Sequence, residues 1–471
     1  MVFSSLIFTY MFLPIVLILY YLSKDKYRNY ILLAASLYFY SYGEPKFVYV
    51  MIGSILGNYI MAILVDKFRG KKLSTICMIA DVVMNIGILF IYKYLDFGIT
   101  IFNTLFRTNI HVVGIVLPIG ISFFTFQALS YVIDVYRETV KVQKNPLYVA
   151  LYISFFPQLI AGPIVRYSTI EEQITNRQCN LEGFSMGGRR FLIGFSKKVI
   201  LANNLSVIAT EIFSMDVRTT NPLMLWIGSI CFSLQIFYDF AGYSDMAIGL
   251  GRMFGFTFLE NFDYPYISRS VTEFWRRWHM SLGQWFRDYV YIPLGGSRTS
   301  VVKHIFNMFV VWLLTGIWHG ANYTFILWGL GYFVLLVIEK YVVKPDNRSK
   351  FFTSAVWRLF TLAAVNFGWV IFNSATWKDG IRFCLAMVGR YNVKPVVDVA
   401  ILRYLREYGF FILAGILFST PIMKWLGEKT ENSKLGYIKA FVSPIVCGIV
   451  FLWAVSYIIL GAHNPFIYFN F

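Results

Sequence analysis

Long runs of apolar residues, separated by short polar segments, extend along most of the chain. Many of them approach the roughly 20 residues that a helix needs to cross a lipid bilayer. Some runs are too short to span or carry internal Pro or Gly, so the pattern predicts about 11 transmembrane helices plus re-entrant pieces. The runs lie at 3–22, 29–42, 47–65, 75–94, 112–135, 147–165, 191–213, 223–250, 305–318, 321–342, 355–372, 408–425 and 438–461.

The first run, Phe3–Tyr21, has no basic segment before it and no clear small-residue cleavage site after it. A removable signal peptide is therefore not expected, and the run predicts an uncleaved first transmembrane helix. We find no internal repeat and no polar stretch long enough for a soluble domain. The fold class expected from the pattern is all-α: a polytopic integral membrane protein with a single domain over 1–471.

The amino-acid composition also indicates a lipid environment. Of the 471 residues, 58% are hydrophobic, 19% are aromatic and only 14% are charged, whereas a soluble domain carries about 25% charged residues. The net charge of +17 comes from basic residues in short loops between the apolar runs. Anchoring to anionic membrane lipid explains these loops better than nucleic-acid binding does. The five cysteines are scattered, so neither a disulfide framework nor a zinc site is expected.

The basic residues of the first loops predict the orientation of the chain. Loops 23–28, 66–72 and 136–145 hold three or four Lys or Arg residues each, while loops 43–46 and 95–111 hold one each. Positively charged loops stay in the cytoplasm, so the N-terminus is expected outside the cell membrane. Beyond about residue 146 the basic residues stop alternating between loops, which indicates broken or re-entrant helices.

The segment TGIWHGANYTFILWG (315–329) places His319 between two apolar runs, beside Trp318 and flanked by Gly316 and Gly320. An ionisable side chain at membrane depth costs about 2.5–3.5 kcal/mol on insertion scales and usually faces a cavity. Neutral imidazole is a natural general base near physiological pH, and the glycines allow a helix or a substrate to approach closely. From these residues alone, a buried histidine that bonds a backbone carbonyl is an equally good interpretation.

A second segment, SVTEFWRRWHMSLGQWFRDYVYIPLGGS (270–297), is predicted to form an interfacial helix. Its large apolar residues recur every three or four positions, and a Pro–Leu–Gly–Gly stretch ends the pattern. Plain anchoring by Trp and Arg explains this composition. The functional alternative makes Arg276, Arg277 and Arg287 binders of phosphate or carboxylate groups, and His279 a second polar residue of the site.

A third segment, 232–256, embeds Asp239 and Asp245 in an apolar run, where each is expected to face a cavity or a cationic partner. Six residues apart, they point about 120° away from each other on a helix and are not an acid–base pair. Asp245 and Arg252 are seven apart and can pair across two turns. A structural network is the favoured interpretation, with Asp239 orienting a site histidine as the alternative. The chain has no P-loop, Rossmann, HExxH or GxSxG signature, so hydrolase or nucleotide-driven chemistry has no local support.

Five blocks carry a resemblance to a known family: FFPQLIAGPIVRY (155–167), LQIFYDFAGYSDMAIGLGRMFGF (234–256), NFDYPYISRSVTEFWRRWHMSLGQWFRDYVYIPLGG (261–296), GIWHGANYTFILWG (316–329) and NPFIYFNF (464–471). Together they resemble the membrane-bound O-acyltransferase (MBOAT) family, specifically the branch that contains the membrane subunit of alginate O-acetyltransferase. The resemblance covers most of the chain and is strongest over residues 150–330, the expected catalytic core. It implies a ring of helices around a thin partition, with a funnel that leads to the catalytic histidine.

The resemblance also implies site residues. By the WHG match the catalytic histidine is His319, and by the RRWH match the family's other recurrent histidine is His279. No metal ion and no bound cofactor is implied, and acetyl-CoA is the expected acyl donor. The residues expected to contact the substrate or the donor are Trp318, Asn322, Arg276, Arg277, Asp239 and Arg287.

The function implied by the resemblance is transfer of an acetyl group from cytosolic acetyl-CoA, through the membrane, for O-acetylation of an extracytoplasmic polysaccharide. His319 would be the general base. An extracytoplasmic partner transferase or esterase, absent from this chain, is expected to complete the transfer. Two alternatives stay open: D-alanyl transfer to teichoic acid by the same fold, and a lipid or glycan transporter without covalent chemistry.

Overall fold

A computed structural model of the chain describes residues 1–160, 162–344, 351–391, 399–430, 434–461, 464 and 467. Every regular element in these ranges is helical, so the predicted all-α class is confirmed. The α-helices are Leu13–Leu22, Asp25–Gly43, Val48–Lys67, Lys72–Leu89, Leu95–Phe106, Ile121–Tyr136, Pro146–Ser154, Phe156–Leu159, Tyr167–Asn176, Leu181–Ser196, Asn203–Phe213, Pro222–Met253, Val271–Arg277, Met280–Phe286, Val301–His319, Tyr323–Ile338, Phe351–Asn373, Trp377–Met387, Val399–Phe418, Ile422–Thr430 and Lys434–Ile459. Short π-helical stretches are Phe8–Phe12, Phe90–Tyr94, Lys197–Ala202, Arg287–Tyr291 and Glu339–Val343, and Pro265–Ile267 is a 3₁₀ turn.

Several of these helices can cross a membrane. Within the described ranges eight are long and apolar enough, and a ninth results if the bent pair Val399–Phe418 and Ile422–Lys429 is one span. The predicted first transmembrane run forms the shorter apolar helix Phe8–Leu22, and Ile121–Tyr136 is also short. The protein is therefore multi-pass, while the number of about 11 spans stays a prediction.

The structure divides into two compact units, residues 1–191 with 244–259 and residues 192–243 with 260–471. The expectation of a single domain over 1–471 is not tested by this division and stays a prediction. In the first unit, Arg69 forms ion pairs with Asp66 at 2.7 Å and with Glu138 at 3.0 Å. This bridge joins the loop after helix Val48–Lys67 to the loop after helix Ile121–Tyr136. The two basic loops therefore lie next to each other, on the same side of the first unit, as the charge pattern predicts.

Asp245, also in the first unit, forms an ion pair with Arg190. Its carboxylate accepts hydrogen bonds from Nε of Arg190 at 3.0 Å and from Nη2 of Arg190 at 2.8 Å. The pair that spacing allowed with Arg252 does not form, and the Arg252 guanidinium instead contacts the sulfur of Met186 at 3.8 Å. The prediction of a cationic partner for Asp245 is confirmed, but that partner lies on another helix.

The second unit has a core rich in aromatic side chains. Trp278, Trp328 and Trp369 are all at most 5% exposed, and the ring centroid of Trp369 lies 4.8 Å from that of Trp278 and 6.0 Å from that of Trp328. Large aromatic side chains bury much apolar area and fix the distance between the helices that carry them. The helices of this core bring together the predicted histidines.

Candidate active site

His319 is the last residue of helix Val301–His319. The hydroxyl of Ser300 caps the start of this helix by accepting the backbone N–H of Lys303 at 3.4 Å. The helix ends at Gly320, whose backbone is extended. Asn322 then caps the next helix, Tyr323–Ile338, by accepting the backbone N–H of Thr324 at 3.1 Å. The WHGAN sequence thus connects two helices through a short turn, and His319 lies where the first helix ends.

Two glycines hold these helices close together. A Cβ atom on Gly316 would lie 2.6 Å from the carbonyl oxygen of Phe325, and a Cβ on Gly329 would lie 2.5 Å from that of Trp312. Real Cβ atoms do not come this close to backbone, so a side chain at either position would push the helices apart. The expected role of Gly316 in close helix approach is therefore confirmed.

Aromatic rings enclose the imidazole of His319, which is 8% exposed. The indoles of Trp318 and Trp328 have their centroids 5.0 Å from it, and the ring of Phe372 lies at 5.2 Å. All three meet the imidazole edge to face. Such an enclosure keeps out bulk water and lowers the local dielectric constant, which strengthens electrostatic interactions within it.

His279 lies at a break in the chain where sequence reasoning predicted a continuous helix. The helices Val271–Arg277 and Met280–Phe286 are separated by Trp278 and His279, and His279 has φ 44° and ψ 54°. The left-handed region is uncommon for a residue with a side chain and is held only by surrounding contacts. Here the N–H of Met280 donates to the carbonyl of Asn261 at 2.9 Å, and the N–H of Asp263 donates to the carbonyl of Arg277 at 3.0 Å. This pairing with 261–263 imposes the break.

The side chain of His279 is 3% exposed and touches three aromatic rings. Its ring centroid lies 6.2 Å from Trp318, 6.2 Å from Phe262 and 6.3 Å from Phe240. Burial lowers the pKa of His279 to about 3, because the charged form loses its hydration. His279 is therefore neutral at physiological pH.

The predicted arginines lie apart from this cluster or already have carboxylate partners. Arg276 is exposed. Arg277 forms ion pairs with Asp263 at 2.9 Å and Glu273 at 3.0 Å. Arg287 is 62% exposed and pairs with its neighbour Asp288 at 2.7 Å. Their predicted role as donor ligands stays a prediction.

Asp239 has a lysine partner. Its Oδ1 lies 2.6 Å from Nζ of Lys198, and both side chains are at most 2% exposed. Its Oδ2 accepts the backbone N–H of Ile467 at 2.9 Å, and Lys198 also donates to Asn203 at 2.9 Å. The expected cationic partner of Asp239 is confirmed, and a structural role for this buried network stays a prediction. In the alternative interpretation, Asp239 orients a histidine. Among the described residues, Asp239 forms no hydrogen bond or ion pair with a histidine. Of the terminal block 464–471, only residues 464 and 467 are described; the others lie outside the described residues.

The structure thus brings together His279, Trp318 and His319, with Asn322 at the adjoining turn. Sequence reasoning missed Asn261, Trp328 and Phe372 as parts of this site. Asn261 and Trp328 lie in the matched blocks 261–296 and 316–329, which was an available signal, whereas Phe372 lies outside them. Within the described residues, no three His, Cys, Asp or Glu side chains come together as a set of metal ligands.

The chain is similar to known proteins over most of its length. A model of the membrane-bound O-acyltransferase family matches residues 103–377. The chain is 43% identical over 379 residues to the probable alginate O-acetylase AlgI of Pseudomonas syringae pv. tomato, over 79% of this chain and 72% of the relative. It is 30% identical over 521 residues to the peptidoglycan O-acetyltransferase of Helicobacter pylori, over 100% of this chain and 98% of the relative. A teichoic acid D-alanyltransferase of Bacillus subtilis is 30% identical over 270 residues, over 54% of this chain and 67% of the relative.

The family model includes both histidine segments, and the relatives extend the similarity over most of the chain. With its helices of membrane-spanning length, the chain belongs to the membrane-bound O-acyltransferase family and is a multi-pass membrane O-acyltransferase.

Proposed function

We propose that this protein moves an acetyl group from cytosolic acetyl-CoA through the cell membrane, for O-acetylation of an extracytoplasmic polysaccharide. Support for acetyl as the acyl group comes from the extent of the similarities described above. The relatives named for O-acetylation match 79% and 100% of this chain, whereas the D-alanyltransferase matches 54%. An extracytoplasmic partner transferase or esterase is part of the proposal.

The observation that carries the mechanism is the position of His319 at a turn, enclosed by aromatic rings. His319 takes the proton of the attacking hydroxyl as its oxygen adds to the thioester carbonyl. The C–S bond then breaks, the acetyl ester remains on the oxygen, and the proton passes to the departing sulfur of CoA. The carbonyl end of a helix favours positive charge, so the last position of helix Val301–His319 stabilises the imidazolium that forms. Proton transfer of this kind contributes about 10²–10⁴ in rate.

The aromatic enclosure protects the reaction from water. A thioester can also react with water, and this competing hydrolysis would waste the acyl donor. Because Trp318, Trp328 and Phe372 surround His319 and leave it 8% exposed, bulk water has little access to the base.

The two substrates reach His319 from opposite sides in this proposal. Acetyl-CoA is strongly anionic and cannot enter lipid without losing the hydration of its phosphates. A polysaccharide is too large to pass inward. The base must then be reachable from both faces near the middle of the membrane, with the N-terminus outside. Irregular backbone at such depth requires surrounding protein or a water-filled cavity, and the turn at Gly320 is irregular.

Purified protein reconstituted in lipid tests the proposal. Wild-type protein should release free thiol from acetyl-CoA in the presence of a hydroxyl acceptor, and His319→Ala should lower that rate roughly 100-fold or more. His111→Ala, at an exposed histidine, is the matched control and should keep full activity. If His319→Ala stays within about threefold of wild type, His319 is structural and the mechanism is wrong. Transfer from a D-alanyl carrier but not from acetyl-CoA would select the D-alanyl alternative, and absence of both would favour the transporter.

A further inference from the structure

The side-chain oxygen of Asn261 makes contacts that bear on which ring nitrogen of His279 carries the proton. Its Oδ1 accepts a hydrogen bond from the backbone N–H of Ser281 at 3.2 Å and another from the Ser281 hydroxyl at 2.8 Å. The same oxygen lies 3.2 Å from Nδ1 of His279. Asn261 is 2% exposed, so these contacts are shielded from water.

The direction of the bond to His279 follows from the backbone. A backbone N–H can only donate, so the amide atom that faces the N–H of Ser281 must be the oxygen of Asn261 and not its nitrogen. A carbonyl oxygen can only accept, and the Nδ1 of His279 that faces it must therefore carry a proton. The opposite tautomer would set two lone pairs against each other at 3.2 Å inside the protein.

We infer that Asn261 is a positioning residue that holds His279 as the neutral Nδ1–H tautomer, so that Nε2 offers its lone pair to a hydrogen-bond donor of a substrate. Nε2 is buried and has no hydrogen-bond partner among the described residues. Buried acceptors in native proteins are nearly always satisfied, so an unmatched one in a candidate site needs an explanation. The neighbouring rings of Phe240 and Phe262 carry no hydrogen-bond donor, and Nε2 makes no hydrogen bond to the indole N–H of Trp318.

This role rests on the proposed function only for the identity of the donor group. Both proposed substrates carry suitable hydrogens: the pantetheine arm of acetyl-CoA has amide N–H groups, and the acceptor has hydroxyls. His279 then binds a substrate through an accepted hydrogen bond, while His319 moves the proton. Two histidines with different tasks explain why one is fixed by an asparagine and the other lies at the end of a helix.

Nitrogen NMR of protein labelled with ¹⁵N-histidine tests the tautomer directly. The signals of His279 are identified by their loss in His279→Gln. We expect a protonated Nδ1 and an unprotonated Nε2 in the unliganded wild-type protein at neutral pH. An Nε2–H tautomer or an imidazolium in wild-type protein would overturn the inference. Because this measurement needs no substrate, it separates the inference from the proposed acetyl transfer.

Substitutions at Asn261 test the link to catalysis. Asn261→Asp keeps an acceptor for both Ser281 and His279, and should keep the Nδ1–H signal. Asn261→Leu removes the acceptor, and His279 should then populate both neutral tautomers. Asn307→Ala removes another buried amide, whose Nδ2 donates to the carbonyl of Gly296 at 3.0 Å, and should leave the His279 signals unchanged. If Asn261→Leu keeps the wild-type tautomer, Asn261 does not set it.

Kinetics of the folded variants identify the substrate that His279 binds. Loss of one hydrogen bond should lower kcat/KM about tenfold in Asn261→Leu, and Asn261→Asp should restore it. A rise in the KM for acetyl-CoA assigns Nε2 to the donor, and a rise in the KM for the acceptor assigns it to the acceptor. If neither KM nor kcat changes while the tautomer does, the substrate role of Nε2 is wrong. A variant that fails to fold leaves the wild-type NMR result to decide.

Discussion

The imidazole of His279 meets the indole of Trp318 edge to face, with 6.2 Å between their ring centroids. The imidazole of His319 contacts the same indole, with 5.0 Å between the ring centroids. Two histidines from separate sequence motifs therefore contact one tryptophan. This arrangement brings the RRWH and WHG blocks together in one candidate site.

Close packing at Gly316 should be essential for the geometry of the site. Gly316→Ala would place a Cβ 2.6 Å from the carbonyl of Phe325, and overpacking of this kind costs about 1–3 kcal/mol. We expect a lower melting temperature in detergent and a loss of acyl transfer. Gly331→Ala, where a Cβ would meet no atom within 4 Å, is the control and should match wild type. If both variants keep the wild-type melting temperature and acyl-transfer rate, close packing of these helices is not required.

The buried pair of Lys198 and Asp239 should be structural. Asp239→Ala removes the carboxylate that pairs with the buried Lys198, and breaking a buried ion pair in this way typically costs about 3–5 kcal/mol. The double variant Lys198→Met with Asp239→Leu removes both charges and should recover most of the lost thermal stability. Arg382→Ala, in an ion pair that is more than half exposed on both sides, is the control and should change stability little. If the double variant is stable but inactive, Asp239 also acts in the site, as the alternative interpretation held.

The buried His279 should make stability depend on pH. Its pKa is lowered from 6.5 to about 3, so the unfolded chain binds a proton more readily than the folded one between these values. Folding stability contributed by neutral His279 is therefore lost as the pH falls below about 6.5, by up to about 1.4 kcal/mol per pH unit. We expect the melting temperature of wild type to fall more than that of His279→Gln between pH 7.5 and pH 5. Parallel curves for the two proteins would contradict the burial of a neutral imidazole.

The basic loop 66–72 should face the cytoplasm. Single cysteines placed there, after replacement of the five native cysteines with activity retained, should react with membrane-impermeant thiol reagents only when cells are opened. Because Arg69 bridges to Glu138, cysteines in 137–145 should behave the same way. Labelling of either loop in intact cells would reverse the proposed orientation, and opposite results for the two loops would contradict the bridge.

Sequence patterns predicted the elements well and their partners poorly. Helices Val48–Lys67 and Tyr323–Ile338 follow apolar runs at 47–65 and 321–342 closely, because lipid selects for hydrophobicity over a fixed length. The break at His279 was missed because it is imposed by backbone pairing with 261–263, which leaves no local signal. Spacing allowed Asp245 to pair with Arg252 on its own helix, whereas it pairs with Arg190 on another helix. Spacing describes one helix at a time and contains no information about its neighbours.

The candidate site shows the same division. His319 and His279 were found because their motifs resemble those of a family, and the structure places both rings against Trp318. Phe372 gave no signal, since an aromatic residue in an apolar run has many equivalent interpretations. Its contact with His319 depends on how the second unit folds.

Sealed vesicles that hold the protein in one orientation test whether His319 is reached from both faces of the membrane. Labelled acetyl-CoA is supplied only at the face that is cytoplasmic in the cell, and a hydroxyl acceptor only at the opposite face. We predict acetylation of the acceptor across the intact membrane, dependent on His319, and little reaction when donor and acceptor are both supplied at the outer face. Equal acetylation with both substrates at the outer face, or no acetylation across the membrane while detergent-solubilised protein is active, would contradict access to His319 from both faces.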